Sequence, residues 1–282
     1  MTAMTKAAAS SGSATLSIAF VALIGATMLF VAGHAQSATS MIQRMLAGGL
    51  IAGFAAGLLA ALLHFALIQE YILLGEQYET GALVHFAGAG GVADGAGGHE
   101  HAAGEAAHDH GGDGGTGGSF ARNALTVLFT GLIYAGYGLV LVAGFALAEQ
   151  FGRSIDARQG ALWGIAAFAA VQLAPAMGLA PELPGSVAAD LGARQAWWLG
   201  TVVATAAGLG FLAWGRGLAG GLIGGALLAA PHVIGAPHVE GFFGVAPPEV
   251  AAAFTARVLG VGLVAWVTLG WLAARLWARP QP

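Results

Sequence analysis

Four histidines fall within twelve residues, at His99, His101, His108 and His110, in a chain that contains no cysteine. They form two units, His99-Glu100-His101 and His108-Asp109-His110, set among glycine and alanine. Neutral imidazole beside carboxylate suits first-row divalent metals. Without thiolates, a metal held by this chain takes nitrogen and oxygen ligands. The duplicated unit, with acids in most of the remaining polar positions, separates this stretch from a low-complexity spacer. A loop of this composition gathers metal ions.

Further candidates lie outside the loop. Glu76 and Glu79 are three apart and share a face if helical; the plainer alternative is a solvated helix end. Glu182 stands between Pro181 and Leu183-Pro184, and an acid in such apolar surroundings needs a partner. That partner is either a metal ion or Arg194, twelve residues on; Asp190 competes for the same arginine in a structural role. His232 follows Pro231 and His238 follows Pro237. Ionisable groups at membrane depth point to function, against the alternative of neutral imidazoles bonded to carbonyls. His64 lines a pathway or serves as a packing donor, and His85 is close enough to join the metal pool of the loop.

Hydrophobic elements must position these groups. Of 282 residues, 57% are hydrophobic and 9% charged, against about 25% charged in a soluble domain. The chain is therefore expected to be an all-α polytopic membrane bundle. Spans are expected at about 15–33, 46–68, 123–148, 160–180, 196–214, 218–235 and 258–277, each near the ~20 residues that cross a bilayer. This divides the chain into a single-helix extension, 1–40, and a six-helix module, 41–282, whose His/Gly-rich loop covers about 88–118. The extension also has the look of a signal peptide, but a retained helix is favoured.

Arginine placement orients the module. Arg44, Arg153, Arg158, Arg216, Arg275 and Arg279 fall on one side, and Arg122, Arg194 and Arg257 on the other. The richer side is assigned to the cytoplasm, which places the histidine loop outside. Lys6 ahead of the first span pulls against this assignment. Gly49, Gly53 and Gly57, and likewise Gly217, Gly221 and Gly225, recur every four residues and are expected to form ridges for neighbouring helices. An internal echo stands out: Ala174-Pro175 leads to Ala180-Pro181-Glu182, and Ala230-Pro231 leads to Ala236-Pro237-His238, 56 residues later. Proline-broken helices at membrane depth survive only when buried or lining a cavity, and transporters use them near binding sites. Glu182 and His238 are accordingly expected to lie near each other at the outer mouth. The formal net charge of −4, with no basic patch, gives no reason to expect nucleic acid. No Gly-x-x-x-x-Gly-Lys-Ser/Thr loop is present, so ATP is not hydrolysed by that route.

These residues carry a family resemblance. The run Trp163-Gly164, Phe168, Leu173-Ala174-Pro175-Ala176-Met177-Gly178-Leu179, Pro181-Glu182-Leu183-Pro184-Gly185, Ala188-Ala189-Asp190-Leu191, Ala193-Arg194-Gln195 and Trp197-Trp198 resembles the cobalt transporter subunit CbtA. Pro231, Gly235-Ala236-Pro237, Phe254, Glu76-Gln77-Tyr78-Glu79 and the histidine-rich loop extend the likeness over residues 41–282. Residues 15–38, with Gly33-His34-Ala35-Gln36, resemble the single helix of the small partner CbtB, without that partner's histidine-containing tail. The resemblance implies Co²⁺ uptake across a bacterial inner membrane, linked to cobalamin biosynthesis.

The sequence thus leads to a metal permease rather than an enzyme, carrying Co²⁺ as cargo with no permanently bound cofactor. Its partners would be the divalent ion, the lipid bilayer, and either a small CbtB-like subunit or a second copy of the chain. The rivals are a transporter of Ni²⁺ or Zn²⁺, a carrier of an organic cobalt complex and a non-transporting metal-binding accessory protein. An intramembrane metalloenzyme is weaker still, for want of a His-Glu-x-x-His helix. Residues 88–118 cannot bury a core and are expected to form a disordered loop outside the cytoplasm. Deleting them is expected to weaken uptake at low metal concentration and spare it at high concentration. Loss of uptake at every concentration would instead make the loop part of the path. Metal held by the loop should be released as pH falls below ~6.5, where imidazole protonates.

Overall fold

A computed structural model describes residues 41–85, 116–241 and 244–278. The expected helix at 15–33 and all four loop histidines lie outside the described residues. Among those described there are helices and connecting turns, and no strands. We number the helices α1 (Met41–Leu67), α2 (Gln69–Glu79), α3 (Thr116–Gln150), α4 (Ala157–Phe168), α5 (Ala174–Ala176), α6 (Leu191–Trp214), α7 (Gly217–Ile234) and α8 (Pro248–Trp277). A π-helical turn, Ala169–Leu173, joins α4 to α5. Helix α3 starts at Thr116, so the last three residues assigned by sequence to the loop are helical.

Among the described residues, five helices, α1, α3, α6, α7 and α8, are long and apolar enough to cross a membrane. The remaining expected span, 160–180, is represented by α4, the π turn and α5, which run on without a break from Ala157 to Ala176. The π turn has a local cause. Pro175 has no N–H, and its ring collides with the carbonyl four residues back. The backbone relieves this by widening, and the Ala174 N–H donates to the Ala169 carbonyl five residues away. At the other end, the Asp156 carboxylate and the Gln159 side chain cap α4 reciprocally.

Helices α3, α1, α8 and α4 pack side by side in that order. Glycine sets the approach of α1 to α3. A Cβ on Gly53 would strike the Tyr134 carbonyl oxygen, one on Gly57 would come within 2.7 Å of the Gly131 Cα, and one on Gly138 would strike the Gly49 carbonyl. The first expected ridge is therefore a packing face. Gly160 and Gly164 bring α4 equally close to Gly270 and Trp266 of α8. The pairings 49 with 138 and 57 with 131, and 160 with 270 and 164 with 266, make both helix pairs antiparallel. Their core holds Phe145, Leu269, Ala265 and Trp266, with Tyr137 and Trp266 rings 4.7 Å apart.

Helices α6 and α7 form an antiparallel hairpin that meets the rest chiefly through the π turn and α5. The second expected ridge meets no neighbour among the described residues. Cβ atoms on Gly217, Gly221 and Gly225 would meet nothing within 4 Å, and the hairpin closes instead through Gly208, Gly215, Gly220 and Gly224. A four-residue repeat finds a smooth helix face but cannot tell which of two adjacent smooth faces meets a partner. Among the described residues, the Gly217-Gly221-Gly225 face stays open.

Candidate functional site

The proline-rich strap after α5 is held from three sides. Leu183 is buried with Ile68, Phe254 and Val261. The Thr255 hydroxyl of α8 donates to the Pro181 carbonyl at 3.0 Å. Gly75 of α2 lies so close to the strap that a Cβ there would be 3.0 Å from Pro184. Gly185 turns the strap with φ of 78° and lies against Val245 and Glu79, where a side chain would be strained. Pinned in this way, Glu182 points across to α6, and its Oε2 accepts a hydrogen bond from Arg194 Nη2 at 2.9 Å. Of the two partners open to Glu182 from sequence, the structure displays the arginine. Asp190 does not compete, because its carboxylate caps α6 by accepting from the Ala193 N–H at 2.9 Å.

Beside the ion pair, and partly lined by it, lies an open cavity of about 390 Å³ bordered by the π turn, α5, the strap, α6 and α8. Its walls are largely apolar, and its polar lining is Gln172, Glu182, Arg194 and Gln195. Gln172 sits in the π turn, and its Oε1 is buried without a hydrogen-bond partner among the described residues. Its amide lies flat on Gly262, where a Cβ would collide with it. Gly262 is halfway along α8, and the cavity is lined at one place by the Glu182 carboxylate and at another by Gln172.

The other candidates spread around this end of the bundle. Glu76 pairs with Arg122 of α3 at 3.8 Å, with both side chains well exposed; such pairs contribute about 0–1 kcal/mol. Glu79 packs its Cβ against Gly185. His232 lies in the last turn of α7, its ring 6.3 Å from that of Trp197. The Trp197 indole N–H donates to the Pro231 carbonyl at 3.2 Å. A Cβ on Gly178 would meet Trp197 and the Ala236 Cβ, so the two proline units touch at one end of the bundle. His238 follows in the extended segment after α7. Among the described residues, no three His, Asp or Glu side chains converge to hold a metal ion. Glu76, Glu79, Glu182, His232 and His238 therefore share a region without forming one coordination sphere.

Sequence reasoning missed Gln172. Its signal was available: an amide within an apolar span, three residues before a proline. Gln195 entered only through the family likeness.

Five described helices long and apolar enough to cross a bilayer, packed through close glycine contacts, define a multi-pass membrane protein. The sequence profile of the family described as probable cobalt transporter subunit (CbtA) matches residues 42–278. The chain belongs to that family. No curated protein and no solved structure matches it.

Proposed function

We propose that this chain carries Co²⁺ inward across the bacterial inner membrane and serves cobalamin synthesis, with the cavity beside Glu182 as the outer half of the path. The observation that carries the reading is the Glu182–Arg194 pair lining a cavity that Gln172 also lines. The histidine loop collects ions on the periplasmic side. Glu76, Glu79, His232 and His238 raise the local cation concentration around the mouth, and Glu182 accepts the ion once it is displaced from Arg194. The arginine distribution supports this orientation. Six crossings of the module follow if Ala157–Ala176 spans with α8 as its antiparallel neighbour; at 1.5 Å per residue it reaches about 30 Å, the thickness of the hydrocarbon core. The membrane potential suffices as a driving force: two charges moved through 100 mV release about 4.6 kcal/mol, roughly three decades of accumulation.

A second reading, a metal-binding accessory subunit, is favoured by two observations: among the described residues, no three ligand side chains converge and the Gly217-Gly221-Gly225 face of the α6–α7 hairpin meets no neighbour. A CbtB-like helix or a second copy would then complete the path. Uptake of labelled Co²⁺ into proteoliposomes containing this chain alone decides between the two. Uptake is the expected result; binding without uptake selects the accessory subunit. Parallel measurements with Ni²⁺ and Zn²⁺ test the choice of metal, because affinity at nitrogen and oxygen sites alone would favour Ni²⁺ over Co²⁺.

A further inference from the structure

We infer that Gln172 is the inner cation-coordinating residue of the cavity, its side-chain oxygen receiving the ion that Glu182 admits. The inference rests on the cavity being a cation path. Three features of the structure converge on it. First, Gln172 Oε1 is buried with no hydrogen-bond partner among the described residues. A buried carbonyl left unsatisfied is costly and calls for a reason. Second, the residue sits in a π turn, a departure from the α-helix that recurs at functional sites. The proline that causes the turn also lines the cavity. Third, the amide rests on Gly262, where only a residue without a Cβ leaves it room. The result is a cavity-lining amide whose oxygen rests on Gly262 at mid-helix depth, with no N–H or O–H among the described residues to hold it there.

The chemistry fits passage rather than storage. A carboxylate at mid-depth would hold a divalent ion tightly and release it slowly. A neutral amide oxygen supplies a ligand with a dipole instead of a charge, and conduction requires binding weak enough to be left again. Glu182 at the mouth supplies the charge that attracts, and Gln172 supplies the oxygen that replaces lost water. Cavity water completes the coordination sphere.

Gln172→Met keeps length and volume and removes the oxygen. Two readouts are paired: Co²⁺ binding to the detergent-purified chain carrying His99→Ala, His101→Ala, His108→Ala and His110→Ala, and Co²⁺ uptake in proteoliposomes. Gln172→Met is expected to weaken Co²⁺ binding about tenfold, the loss of one contact to a charge, and to raise KM for uptake in parallel. Its melting temperature should stay equal or rise, since an orphaned polar atom has been removed. Gln172→Glu is expected to tighten binding and lower maximal uptake. Unchanged Co²⁺ affinity in both variants overturns the inference, as does a chain without the loop histidines that binds no Co²⁺. Should Gln172→Met not fold, Gln172→Glu decides alone. Binding that depends on Gln172 in a chain that does not transport would sink the permease and leave this site standing.

Discussion

Glu182→Gln is expected to abolish Co²⁺ uptake while costing little of the folded protein. The change keeps size and hydrogen-bonding capacity but removes the charge that offsets a divalent ion. It also leaves Arg194 without its 2.9 Å partner, and the energetic scale of that loss matters. Breaking a fully buried pair costs about 3–5 kcal/mol, whereas exposed pairs contribute about 1 kcal/mol or less. Side-chain exposures of 27% for Arg194 and 38% for Glu182 put this pair nearer the lower figure. Abundance should therefore fall slightly and uptake disappear. Glu182→Gln combined with Arg194→Gln isolates the two effects. Normal abundance with uptake still absent shows that Glu182 handles the ion. Recovery of both would reduce the pair to a structural tie and remove Glu182 from the path. Arg194→Gln alone frees the carboxylate and is expected to lower KM for Co²⁺, because the ion no longer competes with a tethered guanidinium.

The helices were legible because lipid imposes a simple rule: each crossing needs a long apolar run. Spans drawn at 46–68, 196–214 and 218–235 therefore fall within a few residues of α1, α6 and α7 at most boundaries. The ends of α3 and α8 extend further than their apolar runs, since a helix continues past the hydrocarbon while its backbone can still bond to itself. Gly53 was readable because small residues at helical spacing have few other uses in lipid. Which face of α7 would meet α6 was not, because Gly220 and Gly224 repeat at the same interval as Gly217, Gly221 and Gly225. Glu182 and Arg194 could be named as a pair from their shared end of the bundle, but not chosen over Asp190 and Arg194. That choice depends on Asp190 being spent as the cap of α6. Gln172 escaped because its importance arises from the π turn, a backbone adjustment that Pro175 permits but does not announce. The ends of the two proline units of the echo meet through Gly178 and Ala236.

Gly53→Val is expected to give the largest loss of folded protein of any single change considered. Helices α1 and α3 approach so closely at this point that even one added carbon would meet the Tyr134 carbonyl, the Ala135 Cα and the Ala135 nitrogen. These are backbone atoms, which cannot swing aside as a side-chain end can. Overpacking in a well-ordered core costs about 1–3 kcal/mol where side chains can adjust, and this site should meet or exceed the upper figure. Gly49 and Gly57 flank the same contact, so the whole helix pair must separate and lose the backbone proximity that replaces the hydrophobic effect between helices in lipid. Gly221→Ala is the matched control. A Cβ there meets nothing within 4 Å, and alanine is the better helix former by about 1 kcal/mol. In detergent, the melting temperature should drop sharply for Gly53→Val and hold or rise for Gly221→Ala. A sharp drop at Gly221 as well would mean that the open face of α7 packs against another helix in the extracted protein, and crosslinking from that face would then identify it as the chain's own segment 15–33, a second copy or a separate subunit.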